Sequence, residues 1–73
     1  MSVQDYRIVV ERLSDEDGGG FAAYVPDLPG CMSDGETRPE AIAHAEEAIS
    51  DWIEAAKSMG RPVPHPAPIR AFA

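Results

Sequence analysis

The sequence predicts an α+β domain in which an antiparallel sheet of three or four strands is covered on one face by a single long helix. Three observations lead there: an alternating apolar run near the start, two short strand-like runs behind it that are separated by Gly- and Pro-rich turns, and a capped segment of about six turns carrying one apolar stripe. The element order read from them is βββαβ.

The first strand is expected between Val3 and Leu13, where Tyr6, Ile8 and Val10 alternate with Arg7, Val9 and Glu11. Ser14 to Gly20 (SDEDGGG) ends in three glycines that tolerate positive φ, so the chain reverses there. Phe21 to Val25 reads as the second strand, stopped by Pro26, which has no backbone donor for a ladder. Pro26 to Gly30 (PDLPG) is a second reversal, and Cys31 to Glu36 returns as a weaker third strand.

The helix begins at Thr37, because TRPE has the form of a capping box: a Thr hydroxyl for the amide of Glu40, with the Glu40 carboxylate reaching back. Ile42, Ala45, Ile49, Trp52, Ala56 and Met59 then recur at spacings of three and four, while His44, Glu47, Asp51, Glu54 and Ser58 face away. Gly60, Arg61 and Pro62 end the helix. Prolines 62, 64, 66 and 68 make the next segment extended, and Ile69 to Phe72 is expected as a short last strand.

At 73 residues the chain is expected to be one domain, 1–73, with strands and helix in 1–61 and a proline-rich segment in 62–73. A core this small favours self-association. The single cysteine cannot form an internal disulfide, there is no apolar run for a signal peptide or a membrane span, and a cytoplasmic location without membrane contact is expected. Thirteen acidic residues against six basic ones give a formal charge of −7. Such a surface repels phosphate backbones and speeds encounter with a basic partner, so direct nucleic-acid binding is not expected.

Few side chains could carry chemistry, and each has a plainer reading. Asp27, Asp34 and Glu36 flank the second turn and third strand, but no ligand motif supports a metal site, and they read as solvated loop acids. His44 stands one helical turn from Glu40, an ordinary surface pair, and His65 lies among prolines. Cys31 has no activating neighbour in sequence and reads as a buried thiol; the GGG lacks the lysine of a phosphate loop. Trp52 reads as core, whereas Tyr24 points away from Ala23 and Val25, toward a sheet face that is either wet or covered by another chain. No catalytic, cofactor-binding or metal residue is assigned, and the chain is not expected to be an enzyme.

Gly20, Phe21, Tyr24 and PDLPGC, then Gly35, Glu36, Thr37, Glu40, Ala41, Ala45, Ala48 and Ile49, and finally Gly60, Pro62 and Pro64 occur in an order that resembles the N-terminal domain of HicB antitoxins over nearly the whole chain. The resemblance implies a partially degraded ribonuclease-H-like fold. It also implies assembly into homodimers or larger oligomers, and a role in binding HicA, a small ribonuclease related to double-stranded-RNA-binding domains that cleaves mRNA. The antitoxin would act by occluding the toxin's RNA-binding surface. On this resemblance the contact residues are Tyr24, Asp27, Leu28 and Asp34 around the turn, with Glu47, Asp51 and Glu54 on the helix as the alternative. HicB proteins usually carry a C-terminal DNA-binding domain, and none is expected within these residues. Two other readings stay open: a weak magnesium-dependent nuclease using Asp27, Asp34 and Glu36, and a solitary oligomeric regulator or scaffold without a toxin.

Overall fold

The computed structural model describes residues 5–66. Within them the alternating run becomes strand β1 at Val9–Arg12. Strands β2 at Phe21–Tyr24 and β3 at Met32–Gly35 follow. The three form one antiparallel sheet in the order β1-β2-β3, and helix α1, Arg38–Ser58, packs on one of its faces. This is the expected α+β architecture; the last strand expected at Ile69 to Phe72 lies outside the described residues.

β1 is shorter than the alternation suggested, for a reason that lies in its partner. Val9 pairs with Tyr24, the last residue of β2, and Val25 behind it gives its amide to Cys31 O ahead of Pro26, so among the described residues β2 offers the residues before Val9 no further strand partner. Tyr6 and Ile8 nevertheless keep the inward phase of the alternation: Tyr6 is buried, and Ile8 packs against both parts of the core. β3 likewise starts one residue late, because Cys31 is held in the turn by its own carbonyl, which accepts from Val25 N at 3.0 Å, and by its amide, which donates to Leu28 O at 3.0 Å.

The first turn is a single 3-10 turn at Asp15–Asp17, with Ser14 as its cap. Gly18, Gly19 and Gly20 follow with φ of 102°, 71° and 78°, a run of left-handed backbone that residues with a Cβ rarely adopt. Helix α1 starts as its sequence directs, with the Thr37 hydroxyl accepting from Glu40 N at 3.2 Å. It ends in a Schellman arrangement in which Gly60 N donates to Lys57 O at 3.1 Å and Arg61 N to Ala56 O at 2.8 Å.

The core grades from large to small along the helix. Near its C-terminal half, Ile49 packs with Tyr6, Val25, Leu28 and Cys31, and Ala48, Trp52 and Ile53 close the cluster. Near its N-terminal half, Ala41 and Ala45 meet Ala23, flanked by Val10 and Phe21. The fully buried Leu28 and Ile49 each contribute roughly 1.5–3 kcal/mol by leaving water.

The helical stripe is therefore Ala41, Ala45, Ile49 and Ala56, and two residues assigned to it belong elsewhere: Ile42 is 38% and Met59 62% exposed. Gly35 accounts for the first of these, and Met59 stands at the C-cap, past the last turn that meets the sheet. A Cβ on Gly35 would lie 2.5 Å from Ala41 N and 2.9 Å from Glu40 C, so the helix touches β3 backbone to backbone there and admits alanine but no larger side chain.

Candidate partner-binding surfaces

Because α1 covers one face of the sheet, period-two alternation leaves the residues between the core positions on the other face. The register aligns them in rows. Val9, Tyr24 and Met32 lie directly opposite one another, and the next row is Glu11, Ala22 and Asp34. Tyr24 is 36% and Met32 68% exposed, and the Tyr24 hydroxyl donates to Glu11 Oε1 at 3.3 Å, joining the two rows. The open face thus carries an apolar row with carboxylates along one side.

The contact residues expected from sequence separate into three places. Tyr24 and Asp34 sit together on the open face. Leu28 does not join them: it is fully buried against Ile49 and its neighbours, offers no surface to a partner, and is a core residue instead of a contact residue. The PDLPG turn drives it inward, since Leu28 N donates to Val25 O at 3.1 Å and folds the side chain under the strand ends. Asp27 is half-buried in the same turn. Glu47, Asp51 and Glu54 are exposed on the outer side of α1, across the two-layer fold from Tyr24 and Asp34.

Sequence alone does not single out Val9, Glu11, Ala22 and Met32 as contact residues. The signal was present in the alternation, but assembling it needs the pairing register.

At one end of the sheet a cleft of about 480 Å³ lies between the glycine turn, β3 and the first turns of α1, lined by Gly19, Gly20, Asp34, Glu36, Glu40 and His44. His44 is not simply paired with Glu40, as its spacing suggested. Its Nδ1 lies 2.7 Å from the Asp34 carbonyl; a carbonyl only accepts, so Nδ1 carries the proton and ties the helix to β3. That bond, with smaller contributions from Glu40, Glu47 and Asp34 against an opposing desolvation effect, raises the His44 pKa above 6.5.

Among the described residues no three His, Cys, Asp or Glu side chains are grouped to hold a metal ion, so the geometry lends nothing to a site made of Asp27, Asp34 and Glu36. Cys31 is a buried free thiol whose pKa is raised by desolvation. Trp52 packs against the core as expected, and its indole Nε1 also donates to Pro29 O at 2.9 Å. A more apolar groove of about 490 Å³ runs past Trp52 between Pro29, Met59 and Pro62. No described helix is long and apolar enough to cross a membrane.

A family model for the HicB_like antitoxin of bacterial toxin-antitoxin systems matches residues 6–73. The chain belongs to the HicB-like antitoxin family. Similar proteins include a 14.9 kDa protein of Haemophilus phage HP1, 39% identical over 92% of this chain and 47% of the phage protein. A UPF0150 protein of Synechocystis is 39% identical over 85% of this chain and 75% of its own length. A UPF0150 protein of Thermoplasma acidophilum is 37% identical over 81% of each chain. This HicB-like chain thus spans about half the length of the phage relative and most of the other two. The crystal structure of TTHA0281 from Thermus thermophilus superposes with a TM-score of 0.71 at 26% identity, covering 92% of this chain and 90% of that one.

Proposed function

We propose that this HicB-like protein is a non-enzymatic, cytoplasmic antitoxin that binds a small basic HicA-type ribonuclease and silences it by covering its RNA-binding surface. The observation that carries this reading is where the charge sits. The chain has a formal charge of −7, and among the described residues no charged side chain is buried. The acidic groups are therefore presented to solvent, where they compete with RNA phosphates for the same cations on the toxin.

In this mechanism long-range attraction sets the encounter rate, and contacts closed at the interface set the residence time. Blocking the toxin's access to RNA needs no chemistry from the antitoxin. A single domain over 1–73 that self-associates, by supplementing a small core, belongs to the same reading.

The test is an RNA-cleavage assay on a HicA-type ribonuclease from the same genome. Cleavage should fall in proportion to added antitoxin and recover as salt is raised, because exposed charges are screened. Undiminished cleavage at excess antitoxin would leave the reading of a solitary oligomeric regulator.

A further inference from the structure

We infer that the open face of the sheet, centred on the Val9–Tyr24–Met32 row, is the surface that receives a basic protein partner, and that a lysine or arginine of that partner lies over Ala22 between Glu11 and Asp34. This rests on the antitoxin reading and adds to it the location and the chemistry of the contact.

Two acidic surfaces carry contact residues expected from sequence. The outer side of α1 offers Glu47, Asp51 and Glu54, but only Ala55 and Ser58 fill the shallow hollow between Asp51 and Glu54. Exposed charge alone associates quickly and holds weakly. The open face combines both requirements. Met32 is 68% and Tyr24 36% exposed beside Val9 in the directly opposed pairs of the register, and an aromatic with a methionine is the kind of pair that anchors an interface.

The charge arrangement fits one kind of occupant. Glu11 and Asp34 each lie opposite Ala22, one on either side, so their strands are separated by two sheet spacings, about 10 Å. Ala22 leaves a low point between two carboxylates, wide enough for one extended cationic side chain to bond to both sides. Tyr24 already holds Glu11 in place through its hydroxyl at 3.3 Å. A second copy of this chain docked by the same surface would set its own Glu11 and Asp34 against these carboxylates, and its charge of −7 would add to the repulsion. Charge complementarity therefore selects a basic partner.

The experiment compares two charge-reversed double variants with equal change in net charge, so that long-range steering is altered alike and only position differs. Glu11→Lys/Asp34→Lys modifies the open face and Glu47→Lys/Asp51→Lys the helix. Met32→Ala tests the apolar row. Affinity is measured for a catalytically inactive HicA-type ribonuclease, after thermal melts show that each variant folds.

The open-face pair and Met32→Ala should each weaken binding by about tenfold or more, and the helix pair by less than about threefold. A larger loss from the helix pair, or an unchanged affinity for the open-face variants, overturns the placement while leaving the antitoxin reading intact. Dissociation of a homo-oligomer by Met32→Ala overturns it in favour of a second copy on this face. Absence of binding by the unaltered protein overturns both.

Discussion

The Tyr6 hydroxyl donates to the Pro64 carbonyl at 2.6 Å, across 58 positions of sequence. It ties the residues before β1 to the proline segment that follows α1, on the same chain. Burial, together with Asp27 and Asp5, raises the Tyr6 pKa above 10.0, so the phenol keeps its proton and remains a donor well into alkaline solution.

Tyr6→Phe should therefore cost about 1 kcal/mol, the net value of one part-buried hydrogen bond, and lower the melting temperature by roughly 4–8 °C. Tyr6→Ala should cost about 3–5 kcal/mol, because it also empties the large end of the core. Thermal melts of both variants give the comparison; an equal loss from the two would show that the bond, and not the ring, carries the effect.

Gly35→Ala should cost more than alanine at any of the open-space glycines. Its new Cβ meets the backbone of Ala41 at 2.5 Å, and backbone cannot swing aside as a side chain can. Overpacking of this kind costs about 1–3 kcal/mol. At Gly18 a Cβ meets nothing within 4 Å, leaving only the left-handed φ as a penalty of about 1 kcal/mol. Urea unfolding of the two variants ranks them, and a smaller loss at position 35 would contradict the close approach of helix and strand.

His44 contributes a pH-dependent increment whose sign follows from its raised pKa. The folded protein holds the imidazolium proton more tightly than the unfolded chain, so this stabilisation is fully present below the ordinary value of 6.5 and is lost as pH rises through the raised one. His44→Ala should lower the melting temperature more in mildly acidic than in mildly alkaline buffer. An equal loss in the two buffers would show that the Asp34 carbonyl does not favour the charged ring.

Cys31 is 5% exposed and its thiol is pushed up by desolvation, so it holds little of the nucleophilic thiolate at neutral pH. An aromatic disulfide reagent should modify it only as fast as the domain opens. Prompt labelling of the folded protein would place the sulfur nearer to solvent than the turn at Val25 and Leu28 allows.

Local signals wrote most of the fold. Thr37 and Gly60 mark the helix ends because capping is a short-range matter of a few backbone groups, and Pro26 stops β2 where it must. The helical stripe was less legible: bulk favoured Ile42 over Ala41, and only the contact with Gly35 shows that a small residue was required. Leu28 is hard to place for a related reason, since a leucine between two prolines in a turn reads as exposed, and only the folding of that turn beneath the strands buries it. Alternation alone sets Tyr24 on the outer face, but its neighbours Met32 and Asp34 depend on a pairing register that no single strand encodes.

Trp52, the chain's only tryptophan, is bonded to the Pro29 carbonyl at 2.9 Å on the far side of the sheet from Met32 and Asp34. Its fluorescence consequently has one source, and that source sits at the seam between helix and PDLPG turn. Emission colour and quenching will report when that seam parts, and they provide a built-in optical gauge of the scaffold's integrity that events on the opposite face leave largely undisturbed.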